Sequence, residues 1–180
     1  LVPLRAAAAR FGFGVETEEF PWSCDYYLQH GRMMPDDGIA TLRGFDAILL
    51  GAVGWPARVP DSVSLHGLLL PIRKHFDLFA NIRPHKLLPG TVGPLRKSAI
   101  DMVCIRENTE GEYSAIGGRL FEGTERETVF QESVFTRKGV DRILKYAFEL
   151  ASKRPKKHLT SATKSNGVAI SMPYWDERVE

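Results

Sequence analysis

Apolar residues recur at helical spacing in three parts of the chain and in short strand-like runs between them. Leu4, Ala7, Ala8 and Phe11 fall on one helical face, with Pro3 suited to a first turn and Gly12 and Gly14 suited to a stop. Residues 15–20 alternate acidic and apolar side chains, the pattern of an exposed strand, and Met34-Pro-Asp-Asp-Gly38 reads as a turn into a short helix at 39–42. Residues 46–51 contain Ala47-Ile-Leu-Leu50, apolar on both faces as a central parallel strand requires, and Gly51 and Gly54 mark its exit. From 62 to 76 the spacing is helical again, with Leu65, Leu68, Leu69 and Ile72 on one face and Pro71 forcing a kink or a boundary.

The second half continues in the same terms. Residues 79–88, broken by Pro84, read as a strand leaving one layer for another, and 102–106 as a second strand of buried character. A junction near residue 80 divides the chain into 1–80 and 81–180. Gly117 and Gly118 read as a turn, 128–136 as a strand, and 158–163 as a strand that delivers Lys164. Between the last two, 138–153 places Val140, Ile143, Leu144, Ala147, Leu150 and Ala151 on one helical face, which is a core-facing amphipathic helix. There is no internal repeat and no low-complexity tract. Mixed helices and strands indicate an α/β chain.

Composition changes little in this picture. An apolar fraction of 43% suits a packed globule, and 24 basic against 22 acidic residues give a net charge of +2. That balance argues against nucleic acid or an acidic membrane as the main partner. Lys153, Arg154, Lys156 and Lys157 fit a solvated helix end, where cations meet the negative pole. No run approaches the roughly 18 apolar residues of a spanning helix. Cys24 and Cys104 are far apart, and Cys104 in its apolar run reads as a small buried thiol, which suits a reducing, cytoplasmic setting. No Gly-x-Gly-x-x-Gly, no Walker phosphate loop and no zinc-like spacing occurs.

The candidate chemistry lies between residues 73 and 166. Arg73, Arg83 and Arg106 each adjoin an apolar run, so a fold can bring their guanidinium groups together from different elements. Such a group calls for a dianion, because each planar fork grips a carboxylate through two parallel hydrogen bonds and several forks repel one another without an acid between them. Taken singly, an arginine is more often a surface ion-pair residue, a tyrosine half-buried packing and a lysine exposed.

Four long motifs decide between these readings: Gly51-Ala-Val-Gly-Trp-Pro56, Arg106-Glu-Asn-Thr-Glu-Gly-Glu-Tyr113, Gln131-Glu-Ser-Val-Phe-Thr136, and Ser161-Ala-Thr-Lys-Ser-Asn166 running on to Met172-Pro-Tyr-Trp-Asp-Glu-Arg-Val179. In these the chain resembles the isocitrate/isopropylmalate dehydrogenase family of metal-dependent β-decarboxylating dehydrogenases, nearest the tartrate/D-malate branch. The resemblance implies an isopropylmalate dehydrogenase-like two-domain fold, incomplete here: part of a parallel-sheet nucleotide domain, then part of a substrate and dimerisation domain. It further implies truncation at both ends, after the family's Gly-rich turn and before its metal-binding aspartates, so that no metal ligand is expected within the 180 residues.

The same resemblance assigns roles. Arg73, Arg83 and Arg106 match the arginines that hold the substrate carboxylates, Tyr113 the catalytic tyrosine, and Lys164 a catalytic lysine that serves the active site of the other subunit. Asn166 matches an asparagine that approaches the nicotinamide, although Ser-Asn-Gly is also an ordinary turn sequence. Expected cofactors are NAD and Mg2+ or Mn2+, and the expected substrate is a small dicarboxylic 2-hydroxy acid bound by a homodimer. Hydride would pass to nicotinamide while a lysine, ordinarily of pKa about 10.4 and brought down by desolvation and nearby cations, takes the hydroxyl proton. Loss of carbon dioxide would follow, and a tyrosine would protonate the enol carbon. His66 stands where the isopropylmalate branch carries a glutamate, which argues mildly against that specificity; Leu69 and Leu70 suit an apolar substituent or plain core packing equally. The 180 residues alone are expected to be inactive. A non-catalytic dimerisation partner of a full-length relative, and isopropylmalate specificity, are the alternatives.

Overall fold

The computed structural model describes residues 1–93 and 100–180, in two compact units, Leu1–Pro71 and Ile72–Glu180. The first unit is helical. Helix α1 spans Val2–Phe11 with Pro3 in its first turn, and Gly12, at φ 72°, ends it by donating to Ala8 O. Helices α2 (Cys24–His30), α3 (Gly38–Leu42) and α4 (Asp61–Ser64) follow, and the core gathers Cys24, Met33, Leu42, Val59 and Leu68.

The predicted consequence of Pro71 is visible in the backbone. Having no N–H, a proline cannot bond the carbonyl one turn back. Ahead of it the helix widens into a π-helical turn, Leu65–Leu69, where Leu70 N–H reaches Leu65 O, and α5 (Leu70–His75) then resumes. Gly67 lies in that turn because Met33 is packed on it: a Cβ there would sit 2.7 Å from Met33 Cγ.

Two expected strands do not form in this unit. Residues 15–20 and 46–51 carry no ladder, and residues 47–50 are exposed, Leu49 to 77%. An apolar run becomes a central strand only when neighbours bond both its edges, and none of the described residues does so.

The second unit holds two antiparallel pairs. Strand β1 (Ala80–Lys86) pairs with β2 (Asp101–Glu107), setting Arg83 opposite Cys104 and Asn81 opposite Arg106. Strand β3 (Gly117–Leu120) pairs with β4 (Thr128–Gln131). Gly117 therefore lies in a strand, not in the expected turn. A Cβ there would come within 2.5 Å of the Phe130 carbonyl oxygen, so glycine permits the close pairing. Residues 158–163 run outside any ladder, and Cys104 is exposed because the β1–β2 pair leaves one face uncovered.

Helix α6 (Arg137–Lys153) is the second unit's core element. Thr136 caps it by accepting from Gly139 N at 3.0 Å, and the Glu110 carboxylate accepts from Thr136 N at 2.8 Å and from its hydroxyl. Its buried stripe is Val140, Ile143, Leu144, Ala147 and Ala151, as the spacing predicts, and it packs on β2 and on α7 (Ser171–Val179). Arg154 binds Asp101 at 2.7 Å and Arg178 binds Asp141 at 2.6 Å, tying both neighbours to it. Among the described residues no helix is long and apolar enough to cross a membrane.

Candidate substrate site

All six candidate residues lie in the second unit. Side chains two apart on a strand share a face, and the β1–β2 register therefore puts Asn81, Arg83, Cys104 and Arg106 on one side of the pair. Arg73 comes from the last turn of α5, where basic side chains favour the helix's negative pole.

Tyr113 is delivered by a loop that only glycine permits. Gly111 sits at φ 78° and exchanges backbone hydrogen bonds with Val134, with the Phe135 ring against it. Just beyond it the Ser114 hydroxyl donates to Glu132 O and Gln131 Nε2 donates to Glu112 O, each at 2.5 Å. The tyrosine ring thus stands where two guanidinium groups meet it: Arg106 lies 5.4 Å and Arg73 6.0 Å from the ring centroid. Contacts of this kind contribute about 0.5–1 kcal/mol each at exposed sites.

The charge balance of this group is one-sided. Burial, followed by repulsion from Arg106 and Arg83, pushes the Arg73 guanidinium below its ordinary pKa, while Tyr113 and Glu107 act in the opposite sense. Glu107, adjacent to Arg106 in the strand, is spent on the loop instead: it accepts from Thr109 N, the Thr109 hydroxyl at 2.6 Å and Glu110 N at 2.7 Å. Among the described residues no ion pair joins Arg73, Arg83 or Arg106 to a carboxylate, although eight other ion pairs form. The three guanidinium groups therefore repel one another with only Glu107, already engaged in the loop, acting against that repulsion as a carboxylate.

Lys164 and Asn166 are placed differently. Both are exposed at a turn in which Lys164 O accepts from Gly167 N at 2.9 Å and Val168 N at 2.8 Å. Among the described residues no hydrogen bond or ring contact joins either side chain to the arginine group. No three His, Cys, Asp or Glu side chains among the described residues gather as a metal cage. A concavity of about 970 Å³ lies against Ile105, Ala147, Leu150 and Ala151, residues of β2 and α6, and none of the three arginines lines it. Arg83 is exposed, while Arg73 and Arg106 are half-buried.

Residues that sequence reasoning did not single out complete the site. Arg142 of α6 binds Asp77 at 2.7 Å, donates to the Thr109 hydroxyl at 2.8 Å and covers the Phe79 ring, so it clamps the entry to β1 against the exit from β2. Asn108, 8% exposed, donates to Leu78 O at 3.0 Å and accepts from Asn81. Both sat within quoted motifs or beside apolar positions, but only the strand register reveals their partners.

With this geometry in hand, similarity to known proteins can be stated. The profile of the family described as isocitrate/isopropylmalate dehydrogenase matches residues 2–180. The chain is 62% identical over 181 residues to the D-malate dehydrogenase [decarboxylating] of Escherichia coli (strain K12), covering 98% of this chain and 50% of that one. It is 61% identical to the tartrate dehydrogenase/decarboxylase of Pseudomonas putida, again over 98% of this chain and 50% of the other. Among solved structures, isocitrate dehydrogenase from Methylococcus capsulatus superposes with a TM-score of 0.70 at 26% identity, over 93% of this chain and 48% of that one. The chain spans about half the length of the curated relatives it matches.

Proposed function

Since this chain belongs to the isocitrate/isopropylmalate dehydrogenase family, we propose that its arginine group is the carboxylate-holding part of a site for oxidative decarboxylation of a 2-hydroxy diacid of the D-malate or tartrate type. The observation that carries this reading is the pair of guanidinium groups of Arg73 and Arg106 at the Tyr113 ring, with Arg83 adding its repulsion to Arg73 and no ion pair joining any of the three to a carboxylate among the described residues. A dianion between them replaces repulsion with charge-assisted forks, and it offsets the burial of Arg73. Tyr113, held at the same place by two cations, is the proton donor of the reading. Lys164 is its proton acceptor, acting on a second subunit, and Asn166 its contact to the nicotinamide.

NAD would supply the hydride acceptor and Mg2+ or Mn2+ the Lewis acid. The described residues of this chain do not fit a metal cage, and no step assigned to the arginines or to Tyr113 depends on one. The 180 residues alone bind the acid without turning it over, and intact copies pair as a homodimer. Exposed Leu120, Phe121, Val129 and Phe130 on and beside the β3–β4 ribbon support the pairing, which light scattering tests directly.

Titration with D-malate at fixed ionic strength is the central experiment. Binding raises the thermal midpoint of the second unit by mass action, and Arg106→Ala weakens it by roughly 1.5–3 kcal/mol, the worth of a charge-assisted fork. Equal stabilisation by chloride, or an Arg106→Ala protein that binds as well as the parent, overturns the reading. A metal-dependent rise in NADH absorbance from the 180 residues alone would overturn the separate statement that they do not turn over.

A further inference from the structure

We propose that Asn81 and Asn108 form an amide relay whose task is to position Arg83, so that its terminal fork faces the ligand end-on. This rests on the dianion reading above and adds to it two residues that touch no substrate. The relay has three links. Arg83 Nε donates to Asn81 Oδ1 at 3.3 Å, Asn81 Nδ2 donates to Asn108 Oδ1 at 3.3 Å, and Asn108 Nδ2 donates to Leu78 O at 3.0 Å.

The direction of every link is forced by its ends. A guanidinium can only donate and a backbone carbonyl can only accept. Asn81 must therefore turn its carbonyl to Arg83 and its amino group to Asn108, which must in turn face its own amino group to Leu78. Neither amide can flip without setting donor against donor. Asn108 is nearly fully buried, where an unpaired amide is costly, so it anchors the chain of bonds.

The consequence falls on Arg83, which is otherwise an exposed side chain at mid-strand. With Nε engaged, the four N–H groups of Nη1 and Nη2 are left for a carboxylate. An end-on grip is selected over a side-on grip through Nε. An asparagine achieves this without cancelling charge. An aspartate at 81 would order the same arginine and at the same time place an anion opposite Arg106, its partner in the register.

The test reads the arginine itself. In the 180-residue protein, the heteronuclear NOE of the Arg83 Nε–H, assigned by its loss in Arg83→Lys, is expected to be that of an ordered group. Asn81→Ala leaves the buried Asn108 carbonyl without its donor, so a somewhat lower thermal midpoint is expected; well below that midpoint the Arg83 signal becomes that of a mobile side chain and D-malate affinity falls about tenfold. Asn81→Asp still accepts from Arg83 Nε but offers no N–H to Asn108, so its Arg83 signal is expected to stay ordered through the ion pair while D-malate affinity still falls, which separates ordering of the arginine from the charge left for the ligand. An Arg83 signal equally ordered in Asn81→Ala overturns the relay. If D-malate leaves the wild-type spectrum unchanged, the dianion reading fails, and the relay is still decided by the ligand-free NOE of the two variants.

Discussion

Single side chains decide how tightly each unit closes. Met33 is 2% exposed and rests on Gly67, where a methyl group would arrive 2.7 Å from its Cγ. Gly67→Ala is therefore expected to destabilise the first unit by roughly 1–3 kcal/mol, the usual cost of overpacking, read as a lower urea midpoint by the fluorescence of Trp22 and Trp55. Asp141 makes a pH prediction. The hydrogen bond and charge of Arg178, with help from Arg137, hold its carboxyl below the ordinary range. A depressed carboxylate stabilises the fold above the ordinary aspartate range and ceases to as pH falls through that range and below. The acid limb of thermal stability should thus be shallower in Asp141→Asn, and Asp101, lowered by Arg154, acts in the same sense. At this scale the arginine trio was singled out by the family motifs, because one arginine beside an apolar run reads as an ordinary surface ion-pair residue. The Asn81–Asn108 bond was not, since it depends on how two strands 27 positions apart come into register.

Elements divide into those whose pattern is local and those that need a partner. Helices α1 and α6 follow from spacing, caps and breakers contained in themselves, and their bounds differ from the expected ones by only a residue or two. The β1–β2 pair also matches its two runs. Residues 15–20, 46–51 and 158–163 have strand-like patterns of the same quality, yet they stay outside ladders because no described strand pairs with them. Gly117 errs the other way, reading as a turn and folding as a strand. The face of α6 is the strongest local prediction: Ile143, 2% exposed, sits at its centre. Ile143→Ala should cost roughly 2–5 kcal/mol through lost burial and a residual cavity, seen as an earlier unfolding of the second unit. Trp175 reports on that unit through its contact with Phe135 and its hydrogen bond to Ser161.

For the whole molecule, each unit has its own set of buried residues. The first relies on short helices around Met33, Val59 and Leu68 and leaves Phe11, Phe13 and Leu49 exposed, while the second is built on a 17-residue helix. The first is expected to unfold at lower urea than the second. Comparing the parent, which carries all three tryptophans, with Trp175→Phe separates the two transitions; coincident curves would contradict this. Family membership follows from the likeness over residues 2–180, and the motifs announced it, whereas the meeting of Arg73 and Arg106 at the Tyr113 ring follows only from coordinates. The β3–β4 ribbon has a further consequence. Each of its strands bonds one neighbour among the described residues, so each keeps an outer row of amides and carbonyls, flanked by Val129 and Phe130. During synthesis at high abundance such rims are templates for misassembly between nascent chains; because Val129 also lies on the proposed pairing surface, a lysine there is expected to raise the yield of recoverable protein and to lower the dimer fraction seen by light scattering.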